Sequence, residues 1–258
     1  MKKTLSLLMA LVMSLGIVLT GCGNEVETAK LVMGLDDSFP PMGFRDANEE
    51  IVGFDVDVAA AVAEKMGVEL KLQPIDWAAK EQELNTGNID CIWNGFTKTP
   101  EREEAMTLSM PYMKNTQVVV VLAESDINTI ADLADKSVAV QGGSSAEDAI
   151  ASMPEFKESL KELVTVKDNV LAMNDLNVEG TAAVVMDEVV ARYYTSKAEG
   201  KYRLLDEKLA DEEYVIGFKK GNEELRDKVE TALKELKEEG KLAEIATKWF
   251  GADITTIA

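Results

Sequence analysis

The sequence predicts an α/β protein, a sheet covered by helices, and three observations carry that expectation. Short apolar runs of strand character alternate with segments whose apolar residues recur at helical spacing. Glycine or a polar turn cluster closes many of these segments, at Gly67, Gly87 and Gly240 among others. Histidine is absent and only two cysteines occur in 258 residues, so a zinc site built on histidine and a disulfide framework are both excluded in favour of an ordinary apolar core. The length suits two modest lobes or one larger domain.

The chain opens on Met1-Lys2-Lys3 and an uncharged, largely apolar run over 4–20, the pattern of an export signal. Residues 1–21 are therefore expected to be a removable leader. Leu19-Thr20-Gly21-Cys22 resembles the lipobox of bacterial lipoproteins, which implies that Cys22 becomes an acylated, palmitate-type membrane anchor and that 22–28 is its polar tether. A strand is expected over 30–35, broken by Asp36-Asp37-Ser38-Phe39-Pro40-Pro41, where turn chemistry suggests function. Helical spacing follows over 55–66, alternation over 68–72, Trp77 in a loop, a helix over 78–86 and a buried strand over 89–93.

That strand leads into Asn94-Gly95-Phe96-Thr97-Lys98-Thr99-Pro100-Glu101-Arg102. Thr99 is a good N-cap and Pro100 a good first helical residue, which puts Arg102 third in the helix. The helix dipole favours an acid there. An arginine in that position needs an anion. Either a neighbouring glutamate supplies it, or Arg102, the Thr97 hydroxyl and the amides around Gly95 receive a ligand carboxylate.

The second half repeats the theme. A β-rich stretch over 117–122 is expected to cross between lobes. A helix over 127–134, a strand over 137–140, the loop Gln141-Gly142-Gly143-Ser144-Ser145, a helix from 146 and a strand over 164–166 come next. A helix over 170–176, a strand over 182–185 and a returning strand over 214–218 lead to a helix from 223 with Leu225, Val229, Ala232, Leu233 and Leu236 on one stripe. After Gly240 a last amphipathic helix ends in Trp249-Phe250.

Basic residues number 27 and acidic ones 47; loss of the leader takes two lysines and moves the net charge from −20 to about −22. That balance disfavours nucleic acid, and charge-driven adhesion to an anionic bilayer, as partners.

Gly53-Phe54-Asp55-Val56-Asp57-Val58-Ala59, the 95–102 segment, the 141–145 loop, Asp187 after a strand and Lys248-Trp249-Phe250-Gly251 together resemble the polar-amino-acid-binding proteins of bacterial ABC importers. The resemblance spans nearly the whole mature chain. It implies a type II periplasmic-binding-protein-like fold: two α/β lobes, 29–116 with 217–258 and 117–216, joined by two crossover strands and closing on a ligand. It implies that Arg102 grips the α-carboxylate with Ser145, and that Asp187, the Thr97 hydroxyl and the Gly95 carbonyl hold the α-ammonium. Taken alone, Asp187 and Ser144 or Ser145 could equally be helix caps. Asp36, Phe39, Trp77, Asn94 and Gln141 would set selectivity, the two aromatic rings sandwiching the side chain and Asp36 facing its distal end. Gln141 stands where glutamine-selective relatives carry lysine, which leaves room for a cationic side chain. No cofactor, metal or catalytic residue is implied. The expected partners are a free amino acid, glutamine-like or arginine-, lysine- or histidine-like, and the permease subunits of an ABC transporter. The protein is expected to be a monomer on the outer face of the cell membrane. The alternatives are a cyclohexadienyl dehydratase-like enzyme on the same scaffold and a sensory ligand-binding module.

Overall fold

The computed structural model describes residues 29–257. The expected leader, Cys22 and the whole of the tether over 22–28 lie outside them. The first strand, β1 (Lys30–Leu35), ends at the predicted break, which folds into a small antiparallel sheet of β2 (Ser38–Phe39), β3 (Gly43–Arg45) and β4 (Ile51–Val52). Helix α1 (Phe54–Met66) follows and stops where Gly67 takes the left-handed conformation, satisfying the last carbonyls. Then come β5 (Glu69–Pro74), a 3₁₀ turn over Trp77–Ala79, α2 (Lys80–Thr86), β6 (Cys91–Thr97), the short α3 (Pro100–Ala105) and β7 (Met106–Leu108).

Strand β8 (Met113–Leu122) opens the second half, followed by β9 (Ser137–Gln141), α4 (Ser145–Ala151), α5 (Pro154–Ser159), β10 (Glu162–Val166), α6 (Asn169–Asn177), β11 (Ala183–Asp187) and α7 (Glu188–Lys197). The chain returns along β12 (Tyr202–Lys219) and ends in α8 (Glu223–Glu238) and α9 (Lys241–Phe250).

The strand order is β10-β9-β11-β8-β12-β6-β1-β5, with β7 also on β12. On one side β6, β1 and β5 are parallel; on the other β11, β9 and β10 are parallel. Between them runs the antiparallel pair β8 and β12, with Met113 opposite Tyr214 and Leu122 opposite Tyr202. Two parallel half-sheets, each covered by its own helices, are thus joined through two long strands. This is a two-lobed α/β fold. The pairing shifts register between Leu204 and Lys208, between Lys208 and Ala210, and between Val215 and Gly217, and such irregularities bend a strand.

Packing follows the apolar stripes. Val229, Ala232, Leu233 and Leu236 of α8 are buried, and Phe54 on α1 meets Phe250 at 5.0 Å between ring centroids. Burying one such aliphatic or aromatic side chain contributes about 1.5–3 kcal/mol. Cys91 is buried in the first lobe and burial pushes its thiol up, so it is a core residue rather than a reactive one.

The strands expected over 89–93 and 117–122 run instead over Cys91–Thr97 and Met113–Leu122, and two further elements differ more. The helix expected over 127–134 is only a 3₁₀ turn, Ile130–Leu133, because the Thr129–Asp132 capping box starts the turn late and Asp135, with φ 58°, ends it early. The returning strand expected over 214–218 begins twelve residues earlier, at Tyr202. Its middle, Asp206-Glu207-Lys208-Leu209-Ala210-Asp211-Glu212-Glu213, has no apolar alternation, so only its pairing with β8 makes it a strand.

Candidate binding site

A small, nearly closed cavity lies where the two lobes meet across β8 and β12. Asp36, Phe39, Trp77, Asn94, Gly95 and Arg102 line it from the first lobe, and Gln141, Ser144, Ser145 and Asp187 from the second. Of the residues singled out from the sequence, only Thr97 borders the cavity without lining it. A wider groove of about 570 Å³ between α7 and α9 contains none of them; Val189, Tyr193, Trp249 and Phe250 are among its walls.

Arg102 has the position expected of it. The Thr99 hydroxyl accepts a hydrogen bond from the Arg102 amide, which seats the side chain in the first turn of α3. The residue is 5 % exposed, and its guanidinium stacks 4.4 Å from the Phe96 ring centroid and donates to the Thr97 carbonyl at 2.7 Å. Among the described residues no carboxylate lies within 4.0 Å of it; Glu103, a near candidate, pairs with Lys98 at 3.0 Å instead. The reading in which a neighbouring glutamate neutralises Arg102 therefore fails. Burial lowers its pKa, the signature of a cation removed from water without a full counter-charge.

The Gly95 amide does not serve as a free donor, contrary to expectation. It donates to Asp55 Oδ2 at 2.7 Å, which also accepts from the Tyr112 hydroxyl at 3.0 Å. Gly95 has φ +57°, and a Cβ there would lie 2.8 Å from Phe39 and 3.1 Å from Tyr214, so glycine is required for both reasons. Asp55 is wholly buried, and desolvation pushes its carboxyl up to about 7. With an unfolded value near 3.9, the folded protein binds the extra proton between about pH 4 and 7, and the stability this group contributes falls as pH rises through that window. Urea midpoints measured from pH 5 to 8 should decline in the wild type relative to Asp55→Asn. Parallel profiles would remove Asp55 as the cause.

On the facing lobe, the two serines divide their labour. Ser144 is the cap of α4, accepting from the Glu147 amide at 3.2 Å, while Ser145 makes no cap and its hydroxyl reaches Thr97 Oγ1 at 3.1 Å. Asp187 stands before α7 but its side chain makes no capping bond. Its Oδ1 instead accepts from Asn115 Nδ2 at 2.7 Å, Gln117 Nε2 at 3.0 Å and the Tyr214 hydroxyl at 2.7 Å. Burial first, and then the charge of Glu212, push Asp187 up to about 7.

At the other end of the cavity, Asp36 accepts from the Ser38 amide at 2.9 Å and, through Oδ2, from Gln141 Nε2 at 2.7 Å across the cleft. Asn94 Oδ1 fixes the Asp36 backbone at 3.0 Å. Desolvation pushes Asp36 up to about 6. Phe39 and Trp77 are both buried on the wall, Trp77 edge-on to Phe96 at 6.1 Å.

Several residues of this site escape a reading of the sequence. Glu212, on β12, accepts through Oε2 from Thr97 Oγ1, Asn115 Nδ2 and Gln117 Nε2 at 2.8–3.0 Å. It lies in the charged stretch that looks like a solvated loop. Asn115 and Gln117 are strand residues whose alternation gives no hint of function. Lys80 is buried although it begins an exposed-looking helix.

A two-lobed α/β protein with opposed, buried charged groups facing one cavity at the lobe junction has the build of a protein that closes on a small zwitterionic solute. The family described as bacterial extracellular solute-binding proteins, family 3, matches residues 31–252. The arginine-binding extracellular protein ArtP of Bacillus subtilis is 31% identical over 255 residues, covering 97% of this chain and 98% of that one. An ABC uptake transporter substrate-binding protein from Streptococcus pneumoniae, solved with bound histidine, superposes with a TM-score of 0.85 at 37% identity, covering 88% and 94% of the two chains. The ancestral amino acid-binding protein AncCDT-1, a precursor of cyclohexadienyl dehydratase, superposes with a TM-score of 0.79 at 31% identity, covering 86% and 96%. The chain belongs to the bacterial extracellular solute-binding proteins, family 3. Among the described residues no helix is long and apolar enough to cross a membrane.

Proposed function

We propose that this protein is the extracytoplasmic receptor of an amino acid importer, carrying a free α-amino acid to ABC permease subunits and signalling its load by lobe closure. The observation that supports this most is Arg102, a buried guanidinium without a carboxylate partner among the described residues, on the wall of a cavity whose other wall carries Asp187. A zwitterion answers both. Its α-carboxylate satisfies Arg102 in bidentate fashion with Ser145 opposite, and its α-ammonium satisfies Asp187, with the Thr97 hydroxyl and the Gly95 carbonyl beside it.

The side chain would lie between Phe39 and Trp77 and end at Asp36, held by Asn94 and Gln141. A buried carboxylate calls for a cation or a donor. An arginine-, lysine- or histidine-like side chain fits that requirement best, a neutral amide such as glutamine less well, and an anionic one not at all. The lobes are assigned as 29–116 with 217–258, and 117–216. Acylation of Cys22 after removal of 1–21 would hold the receptor, as a monomer, on the outer face of the membrane. No reaction is assigned to the site, since the carboxyls lining the cavity are engaged in the cradle.

Thermal-shift screening of the twenty amino acids with ornithine and cystine tests the reading. A ligand at about 100 times its dissociation constant adds about 2.7 kcal/mol, which raises the melting temperature by several degrees, roughly 2–4 °C per kcal/mol in a chain of this size. A flat screen, or turnover of an arogenate-like substrate, would refute it.

A further inference from the structure

We propose that Lys80 is a positioning residue that latches the lobes shut over the ligand through the carbonyl of Gly143; this rests on the receptor reading above. Lys80 begins α2, where the helix dipole disfavours a cation just as it does at Arg102. Yet its side chain is 4 % exposed, lies 5.2 Å from the Trp77 ring centroid, and among the described residues has no carboxylate within 4.0 Å. Its ammonium donates to two carbonyls instead, Trp77 in its own lobe at 3.3 Å and Gly143 in the facing lobe at 2.8 Å. Gly143 has φ +69°, and a Cβ there would sit 3.2 Å from Ala78 Cα, so its loop rests directly on the turn that carries Trp77.

Three side-chain hydrogen bonds among the described residues reach across the cleft between the β6 and β9 sides: Gln141 to Asp36, Ser145 to Thr97, and Lys80 to Gly143. The first two use groups assigned to the ligand, so an amino acid entering the site competes for them. Lys80 does not line the cavity. Its bond to Gly143 therefore survives when ligand is bound, and it can form only when the 141–145 loop has come down.

The same geometry makes the latch conditional. Burial first, and then the charge of Arg102, lower the Lys80 pKa to about 8, against the charges of Glu81, Asp148 and Glu147, which pull it back up. Closing on nothing would take two neighbouring cations of the first lobe out of water together. Closing on an α-carboxylate neutralises Arg102, the cation whose charge opposes Lys80. Lys80 thus adds little to an empty closed form and holds a loaded one.

The test measures association and dissociation of L-arginine, L-histidine and L-glutamine on the mature protein and on Lys80→Met and Lys80→Arg. Lys80→Met leaves the Gly143 carbonyl without its charged donor and should speed dissociation roughly tenfold or more, with association within about threefold and the ligand-free melting temperature unmoved. Lys80→Arg keeps a donor and should recover part of the loss. A merely structural role would lower the ligand-free melting temperature without splitting the two rates. Unchanged dissociation in Lys80→Met, with tight binding by the wild type, would overturn the latch alone. No binding of any of the three by the wild type would overturn the receptor reading and the latch with it. Should Lys80→Met not fold, ¹⁵N-lysine spectra of the wild type decide: the Lys80 ammonium protons should become slow to exchange with water on ligand addition, and free exchange in the complex would refute the proposal.

Discussion

Arg102→Met is expected to abolish binding of every amino acid alike, weakening each by a factor between about a hundred and several thousand. The guanidinium is buried, held in place by Phe96 and the Thr97 carbonyl, and has no carboxylate of its own among the described residues. Removing one member of a buried ion pair costs about 3–5 kcal/mol because the other is stranded, and in the complex the stranded group is the ligand carboxylate. The ligand-free protein should respond the other way. It loses an uncompensated buried cation, so its melting temperature should hold or rise. Arg102→Lys should not restore binding, since a point charge on a flexible stem cannot reproduce the planar fork or the stacking on Phe96. Calorimetric titration with the best ligand of the thermal screen, and melts without ligand, check both halves. Retained affinity in Arg102→Met would mean that the carboxylate is held elsewhere.

That prediction was already visible in the sequence, because Thr99, Pro100 and Arg102 fix a local geometry within four residues. Local signals of this kind carried the fold far: β1 runs over the residues expected, α1 and α2 end at Gly67 and Gly87 as the spacing pointed to, and α9 ends at Phe250. The arrangement of half-sheets about β8 and β12 rested on the resemblance rather than on periodicity. What the sequence left hidden is non-local. Glu212 becomes a site residue only because β12 lies against β8 and turns its side chain toward Asn115 and Gln117. Lys80 becomes buried only because the Gly143 loop descends on it. The Gly95 amide looked like a ligand donor because nothing in its neighbourhood announces that Asp55, forty residues earlier, claims it. Asp187 posed the reverse problem. A loop aspartate before a helix is ordinarily a cap, and only the three donors converging on its Oδ1 show that it faces the cavity.

Asp36 should decide which amino acid is held, and both mutation and pH expose it. In Asp36→Asn the carboxylate that would face a guanidinium or ammonium is lost, while the amide can still accept from the Ser38 backbone. Affinity for L-arginine is expected to fall about ten- to a hundredfold, the worth of a charge-assisted bond or two of about 1.5–3 kcal/mol, and affinity for L-glutamine to stay within a few-fold, so the ranking narrows or reverses. The pH dependence has a definite sign. Burial pushes Asp36 up to about 6, against the hydrogen bonds from Gln141 and Ser38 that pull it down. A cationic side chain binds the ionised form and must displace that proton below pH 6; a neutral amide need not. The ratio of L-arginine to L-glutamine affinity should therefore be constant above about pH 7 and shrink by up to tenfold per pH unit below 6, until the complex itself takes up the proton. Asp187 titrates in the same region, pushed up to about 7, but it serves the α-ammonium common to all ligands and cancels from the ratio. In Asp36→Asn the ratio should lose its slope. A ratio that stays flat in the wild type between pH 5 and 8 would mean that Asp36 does not meet the ligand's charge, and selectivity would then have to come from the shape that Phe39, Trp77 and Gln141 impose.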